Sequence, residues 1–142
     1  MKQLNPYLRF TGRCREALTF YQACFGGELK WMTVAETPMA AQMPAESRQH
    51  IMHATLTTDR FVLLGSDMAG PGGYTPGNTV SLFVACNSEE ETRALFSKLS
   101  VGGKIVDPLM AQFWGGLFGA LTDQFGVEWR FSYEKPRPNP VG

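Results

Sequence analysis

Gln112-Phe-Trp-Gly-Gly-Leu-Phe-Gly-Ala-Leu-Thr-Asp-Gln-Phe-Gly-Val-Glu-Trp-Arg-Phe131 is the stretch on which the fold turns. Six aromatic rings, Phe113, Trp114, Phe118, Phe125, Trp129 and Phe131, alternate with glycines at 115, 116, 119 and 126. Rings supply large apolar walls, and glycines let strands bend or approach another backbone closely. The polar Thr122-Asp123-Gln124 divides the stretch into two strands. Two readings stand: a curved strand pair lining a cleft, or an ordinary core hairpin.

Working outward, the 142 residues suffice for one domain with a real core. Hydrophobics make up 44% and charged residues 18%, a globular balance. Thirteen Lys and Arg offset thirteen Asp and Glu, so no electrostatic footprint for nucleic acid or an anionic membrane is expected. No apolar run approaches the ~20 residues of a membrane span, and the first residues lack a signal-peptide core. The expected location is the cytoplasm. Cys14, Cys24 and Cys86 form neither a disulfide framework nor a Cys-x-x-Cys motif; they read as small apolar residues.

The elements follow in order. Pro6–Phe10 is a short strand. Cys14, Ala17, Leu18, Tyr21, Cys24 and Phe25 fall at helical spacing and predict a helix over 13–25, stopped by Gly26-Gly27. Residues 28–35 read as a strand. Residues 36–50 form a long loop with at most a helical turn, either a lid or a variable surface segment. His50–Thr57 and Arg60–Ser66 make a hairpin. Gly70, Pro71, Gly72, Gly73, Pro76 and Gly77 mark a linker. Thr79–Cys86 is a strand, and Ser88 with Glu91 makes a capping box for the next helix. That helix buries Thr92, Leu95, Phe96 and Leu99 and ends near Gly102-Gly103. Residues 104–108 are a short strand closed by Pro108, ahead of the aromatic stretch. Residues 134–142, with Pro136, Pro138 and Pro140, form an extended tail.

The order strand, helix, strand, strand, strand thus occurs twice. Glu16 matches Glu91, and Phe20 matches Leu95, at an offset of 75 residues; the glycine pairs match at 76, and Asp59-Arg-Phe61 echoes Asp123-Gln-Phe125 at 64. The first half is therefore longer in between, at the 36–50 loop. Such a period fits a duplicated half-domain rather than a solenoid.

Pro6-Tyr-Leu-Arg-Phe10, Glu16-Ala-Leu-Thr-Phe-Tyr21, Phe25-Gly-Gly27, Phe113-Trp114, Phe118-Gly119 and Thr122-Asp-Gln-Phe-Gly126 together resemble the PhnB-like family. That family lies within the glyoxalase, bleomycin-resistance and extradiol-dioxygenase (vicinal oxygen chelate) superfamily, and the resemblance covers about residues 4–133. It implies an α+β fold of two βαβββ modules forming a cupped mixed sheet: module one about 4–68, linker about 69–78, module two about 79–133. It also implies a homodimer with pockets near the subunit interface. Members are often labelled 3-demethylubiquinone 3-methyltransferase-like. Yet no Gly-x-Gly-type loop stands between a strand and a helix here to hold S-adenosylmethionine.

Metal-dependent members carry His, Gln or Glu ligands on the first and last strands of each module, where the ion acts as a Lewis acid. The matching positions here fall near Asn5, Leu63 or Leu64, Val80 and Arg130. Leucine and valine cannot ligate, and arginine repels a cation, so no metal and no cofactor are expected. His50 and His53, three residues apart, point to opposite faces of a strand unless it begins after His50. His53 is a structural histidine, a pocket hydrogen-bonder or a general base. Arg130 alternates with the apolar face of the last strand; it clamps a carboxylate or phosphate if that face lines the cup, and is a surface residue otherwise. Arg9 poses the same choice. Tyr7, Trp114 and Phe118 are wall residues or core.

Two functions of different kinds follow. One is a metal-free binder of a small planar molecule, with Tyr7, His53, Trp114, Phe118 and Arg130 as contacts. The alternative is a lyase, isomerase or dioxygenase with an atypical metal set or His53 as base. A weaker third reading is a structural dimer with a vestigial cleft.

Overall fold

Two apolar stripes, one per helix, organise the structure. The computed structural model describes residues 1–136. The chain divides between Thr75 and Pro76, inside the Gly/Pro stretch, into two units that each bury their own core.

In the first unit, β1 (Tyr7–Arg9), α1 (Cys14–Phe25), β2 (Glu28–Thr33), β3 (Ile51–Thr57) and β4 (Val62–Ser66) form a mixed sheet in the order β1-β4-β3-β2. β1 and β4 are parallel; the other pairs are antiparallel. α1 buries Cys14, Ala17, Leu18, Tyr21 and Cys24, the expected stripe. Gly65 faces this helix: a Cβ there would lie 2.8 Å from Leu18 Cδ2 and 3.1 Å from Cys14 Sγ. Leu63 and Leu56 continue the same buried face.

The second unit repeats the plan with β5 (Leu82–Cys86), α2 (Glu89–Ser100), β6 (Lys104–Gln112), β7 (Gly116–Thr122) and β8 (Glu128–Glu134) in the order β5-β8-β7-β6. β5 and β8 are parallel. α2 buries Thr92, Phe96 and Leu99, while Leu95 is half-buried. Phe96 meets Phe131 edge-to-face at 5.5 Å, which adds to the burial of both rings.

The two helices are twelve residues each and start 75 positions apart, at 14 and 89. The final hairpins match at 65 rather than 64. Thr57 and Thr122 are the last paired residues before each turn, so Thr58, not Asp59, is the counterpart of Asp123. Thr58 Oγ1 accepts from the amides of Arg60 and Phe61; Asp123 Oδ1 accepts from those of Phe125 and Val127. A hydroxyl and a carboxylate thus fill one role, which residue-by-residue matching does not reveal. The second glycine of each helix-ending pair also repeats its contact. A Cβ on Gly27 would lie 2.6 Å from the Thr57 carbonyl oxygen, and one on Gly103 would collide with that of Thr122.

Several boundaries differ from expectation. Three successive 3-10 turns, Val34–Glu36, Pro38–Gln42 and Ala45–Ser47, occupy the expected 36–50 loop and the end of the strand expected over 28–35. The base of the loop is tied by Val34 N–H to His50 O and Ala35 N–H to Arg48 O. Pro108 does not close β6. The strand runs through it to Gln112, because β6 is an edge strand and its register slips between Asp107 and Met110. A bulge at an edge tolerates the missing N–H. Phe113 and Trp114, expected within a strand, occupy the turn between β6 and β7. Of the expected tail, Pro136 is described; Pro138 and Pro140 lie outside the described residues.

Candidate functional site

Each sheet presents one face to its helix and the other away from it. On β8, Trp129 and Phe131 are buried toward α2, so Glu128, Arg130 and Ser132 occupy the opposite face. On β7, Gly119 faces α2, since a Cβ there would meet Phe96 Cε2 at 3.0 Å; Phe118 and Ala120 therefore share the face of Arg130. On β5, Phe83 pairs directly with Arg130 and joins the same face, where it is 61% exposed.

Arg130 thus stands between Phe83 and Ala120, with Phe118 diagonal to it across from Ser132. It is exposed and makes no ion pair or hydrogen bond among the described residues. Glu128, two residues earlier on the same face, accepts instead from Ser81 Oγ at 3.3 Å. Phe83 was missed by sequence reasoning. Its signal was the parallel pairing of β5 with β8, which periodicity cannot supply.

Trp114 is elsewhere in this unit. It packs edge-to-face on Phe113 at 5.0 Å in the β6–β7 turn, with Phe113 98% exposed.

In the first unit, the face turned from α1 carries Tyr7, Arg9, Leu64, His53 and Thr55. The Tyr7 and His53 rings lie 6.2 Å apart, tilted by 38°. His53 Nε2 and Thr55 Oγ1 are hydrogen-bonded at 3.2 Å. Arg9 donates to the Ala69 carbonyl. His50 precedes β3, which begins at Ile51, and its Nε2 lies 3.3 Å from where a Gly12 Cβ would stand. It takes no part in the Tyr7–His53–Thr55 cluster.

The positions matched to superfamily metal ligands do not form a donor set within either unit. Leu64 pairs with Tyr7, and Arg130 with Phe83. Among the described residues, no three His, Cys, Asp or Glu side chains gather to hold an ion. Leu64 and Arg130, at two of these positions, offer no lone pair to a cation.

Asp67 directly follows β4. Its carboxylate is buried and accepts from the amides of Gly12 at 2.8 Å, Cys14 at 3.0 Å and Ile51 at 2.8 Å. It therefore joins the start of α1, the start of β3 and the end of β4. The Cys14 thiol beside it is pushed up to about 12 by burial and by the Asp67 charge. Cys14 and Cys86 are free thiols.

Paired four-stranded mixed sheets, each from a βαβββ unit with one helix, define an α+β protein of the glyoxalase type. The chain belongs to the glyoxalase/bleomycin resistance protein/dioxygenase superfamily, whose model matches residues 3–131. It is similar to Protein YjdN of Escherichia coli (strain K12), 32% identical over 143 residues, with 95% of this chain and 97% of that protein covered. Protein PA1353 from Pseudomonas aeruginosa has the same fold, with a TM-score of 0.84, 35% identity and coverage of 96% of this chain and 100% of that one. A Bacillus cereus PhnB protein, described as a putative 3-demethylubiquinone-9 3-methyltransferase, matches with a TM-score of 0.71 at 26% identity, covering 93% and 99%. The PhnB-like resemblance and the fold are thereby established. No helix among the described residues is long and apolar enough to cross a membrane.

Proposed function

We propose that this PhnB-like protein binds a small organic molecule without a superfamily-type metal, in the cytoplasm and as a homodimer. The observation that carries the reading is Arg130, a cation at the last-strand position where the resemblance places a metal ligand, set between Phe83 and Ala120. A guanidinium there repels a divalent ion and recruits an anionic or polar group instead. Phe83 and Phe118 supply apolar contact beside it; on the first unit's own face, Tyr7 and His53 are candidate contacts by themselves. Trp114, in its turn, is the remaining contact. The test pairs metal analysis of protein purified without chelator with thermal-shift titrations of Ni, Zn, Mn and Fe ions and a small-molecule panel. The expected result is no stoichiometric metal, no metal-induced shift, and a panel compound whose stabilising effect falls in Arg130→Ala. Stoichiometric metal with a raised melting temperature sinks the metal-free reading.

The Tyr7–His53–Thr55 cluster favours a second reading, an enzyme of lyase, isomerase or dioxygenase type with His53 as base. In the tautomer whose Nε2–H donates to Thr55 Oγ1, Nδ1 is the basic nitrogen that would take a substrate proton. Turnover in a panel of vicinal-oxygen substrates, lost in His53→Gln with the fold intact, would establish it; turnover unaffected by that substitution would remove His53 as the base.

A further inference from the structure

Arg130 has surroundings that an ordinary surface arginine lacks. A solvated arginine on a sheet commonly finds a cross-strand carboxylate. Here the cross-strand partners are Phe83 on one side and Ala120 on the other. Of the two carboxylates on its own strand, Glu128 is engaged by Ser81, and Glu134 lies four residues beyond Arg130. The next residue on this face, Ser132, is uncharged and faces Phe118. Lys104 shares the face but lies at the far edge, opposite Thr122. Among the described residues Arg130 therefore has no ion partner, with Phe83, Phe118 and Ala120 around it and Asp107 on the same face beyond Ala120.

We propose that this face recognises a planar aromatic monocarboxylate. The inference rests on the binding reading above and names its ligand class. A single guanidinium fork matches one carboxylate with two parallel hydrogen bonds. With no second cation adjacent, a dianionic phosphate would keep a charge uncompensated. Strands in a sheet are about 4.8 Å apart, so an aryl group attached to a carboxylate on Arg130 reaches Phe83 or Phe118 directly. Ala120 keeps the other flank low enough for the carboxylate to lie beside the guanidinium. Phe83, 61% exposed, gains most from being covered.

The test is titration calorimetry with 2-naphthoate as probe against wild type, Arg130→Gln and Phe83→Ala, with circular dichroism to confirm that each variant is folded. Both residues are exposed, so folding should survive. Controls are 2-naphthamide, which removes the charge, cyclohexanecarboxylate, which removes the ring, and inorganic phosphate. The expected result is saturable 1:1 binding of 2-naphthoate, weakened about tenfold or more in Arg130→Gln, as loss of a charged hydrogen-bond partner implies. Phe83→Ala, 2-naphthamide and cyclohexanecarboxylate should each also bind more weakly. Equal affinity of Arg130→Gln and wild type, or tighter binding of phosphate than of 2-naphthoate, overturns the proposal. Saturable binding of a neutral planar compound with none of 2-naphthoate overturns the ligand class and leaves the binding function standing. No saturable binding by any compound overturns both.

Discussion

Asp67 accepts the Cys14 amide at 3.0 Å, so a residue at the end of β4 caps the N-terminus of α1. The local N-cap, Arg13, makes no side-chain capping hydrogen bond; its guanidinium pairs with Glu16 instead. By contrast, α2 is capped locally, with Ser88 Oγ accepting from Glu91 N–H and Glu91 accepting from Asn87 N–H. One helix is closed by sequence neighbours and the other by the tertiary fold. Asp67→Ala strands three amides and should cost about 3 kcal/mol or more, since each lost bond to a charged acceptor counts for about 1.5–3 kcal/mol and water relieves part of the loss. Asp67→Asn keeps one carbonyl oxygen and should cost less. Urea denaturation of both variants checks the ranking; a change below about 0.5 kcal/mol for Asp67→Ala, the range of a featureless surface site, would show that the carboxylate holds little.

The same contact shapes the pH dependence of stability. Burial and the Asp67 charge raise the Cys14 thiol from 9.0 to about 12. The folded state then holds its proton where the unfolded state releases it, so this group's contribution is complete below pH 9 and falls as pH rises toward 12. Comparing urea midpoints at pH 8 and pH 10.5 isolates the effect: wild type should lose more stability over that interval than Cys14→Ala. Equal losses would place the pH dependence on other groups. Cys14 is fully buried, so an aromatic disulfide reagent should leave it unmodified at pH 8 until urea is added.

Gly27 and Gly103 make a paired test of the internal repeat. Each follows a helix and lies against the carbonyl of the residue that ends the third strand of its unit, Thr57 and Thr122. The obstacle is backbone in both cases, which cannot swing aside as a side chain would. Gly27 also has φ +97°, where a Cβ is strained. Gly27→Ala and Gly103→Ala should each destabilise by about 1–3 kcal/mol, the usual range for forcing a group into filled space. Gly72→Ala, in open space, is the control and should stay within about 0.5 kcal/mol. Thermal denaturation of the three variants decides; a stable Gly103→Ala would mean that α2 and β7 separate at little cost.

The doubled βαβββ plan was legible because its signals are local: the α1 stripe, the Ser88 cap, and the glycine pairs after each helix. The fate of β6 was not, because proline ends a strand only where its N–H is needed, and an edge position with a bulge removes that need. The candidate face was half legible. Alternation along β8 set Arg130 opposite Trp129 and Phe131, but its neighbour Phe83 is 47 residues away, and only the parallel register joins them. The role of Asp67 was not legible for the same reason: the amides it serves are 55, 53 and 16 residues distant. Patterns in a sequence report the period of an element, whereas these contacts depend on which elements become neighbours.

Asp123 carries the corresponding polar knot of the second unit. Its Oδ1 accepts from Phe125 N–H at 2.8 Å and Val127 N–H at 3.1 Å, and its Oδ2 accepts from Trp129 Nε1 at 2.8 Å. The carboxylate and the indole are both buried, so removing either leaves the other without this bond away from water. Trp129→Phe keeps most of the apolar volume and removes the indole donor; it should cost about 1–3 kcal/mol. Asp123→Ala breaks the turn as well and should cost more. The double variant separates the two effects: if the bond to the indole matters, the combined loss falls short of the sum of the single losses by about 0.5 kcal/mol or more. Chemical denaturation followed by far-ultraviolet circular dichroism gives all three values, and strict additivity would show that the bond to the indole contributes nothing to stability.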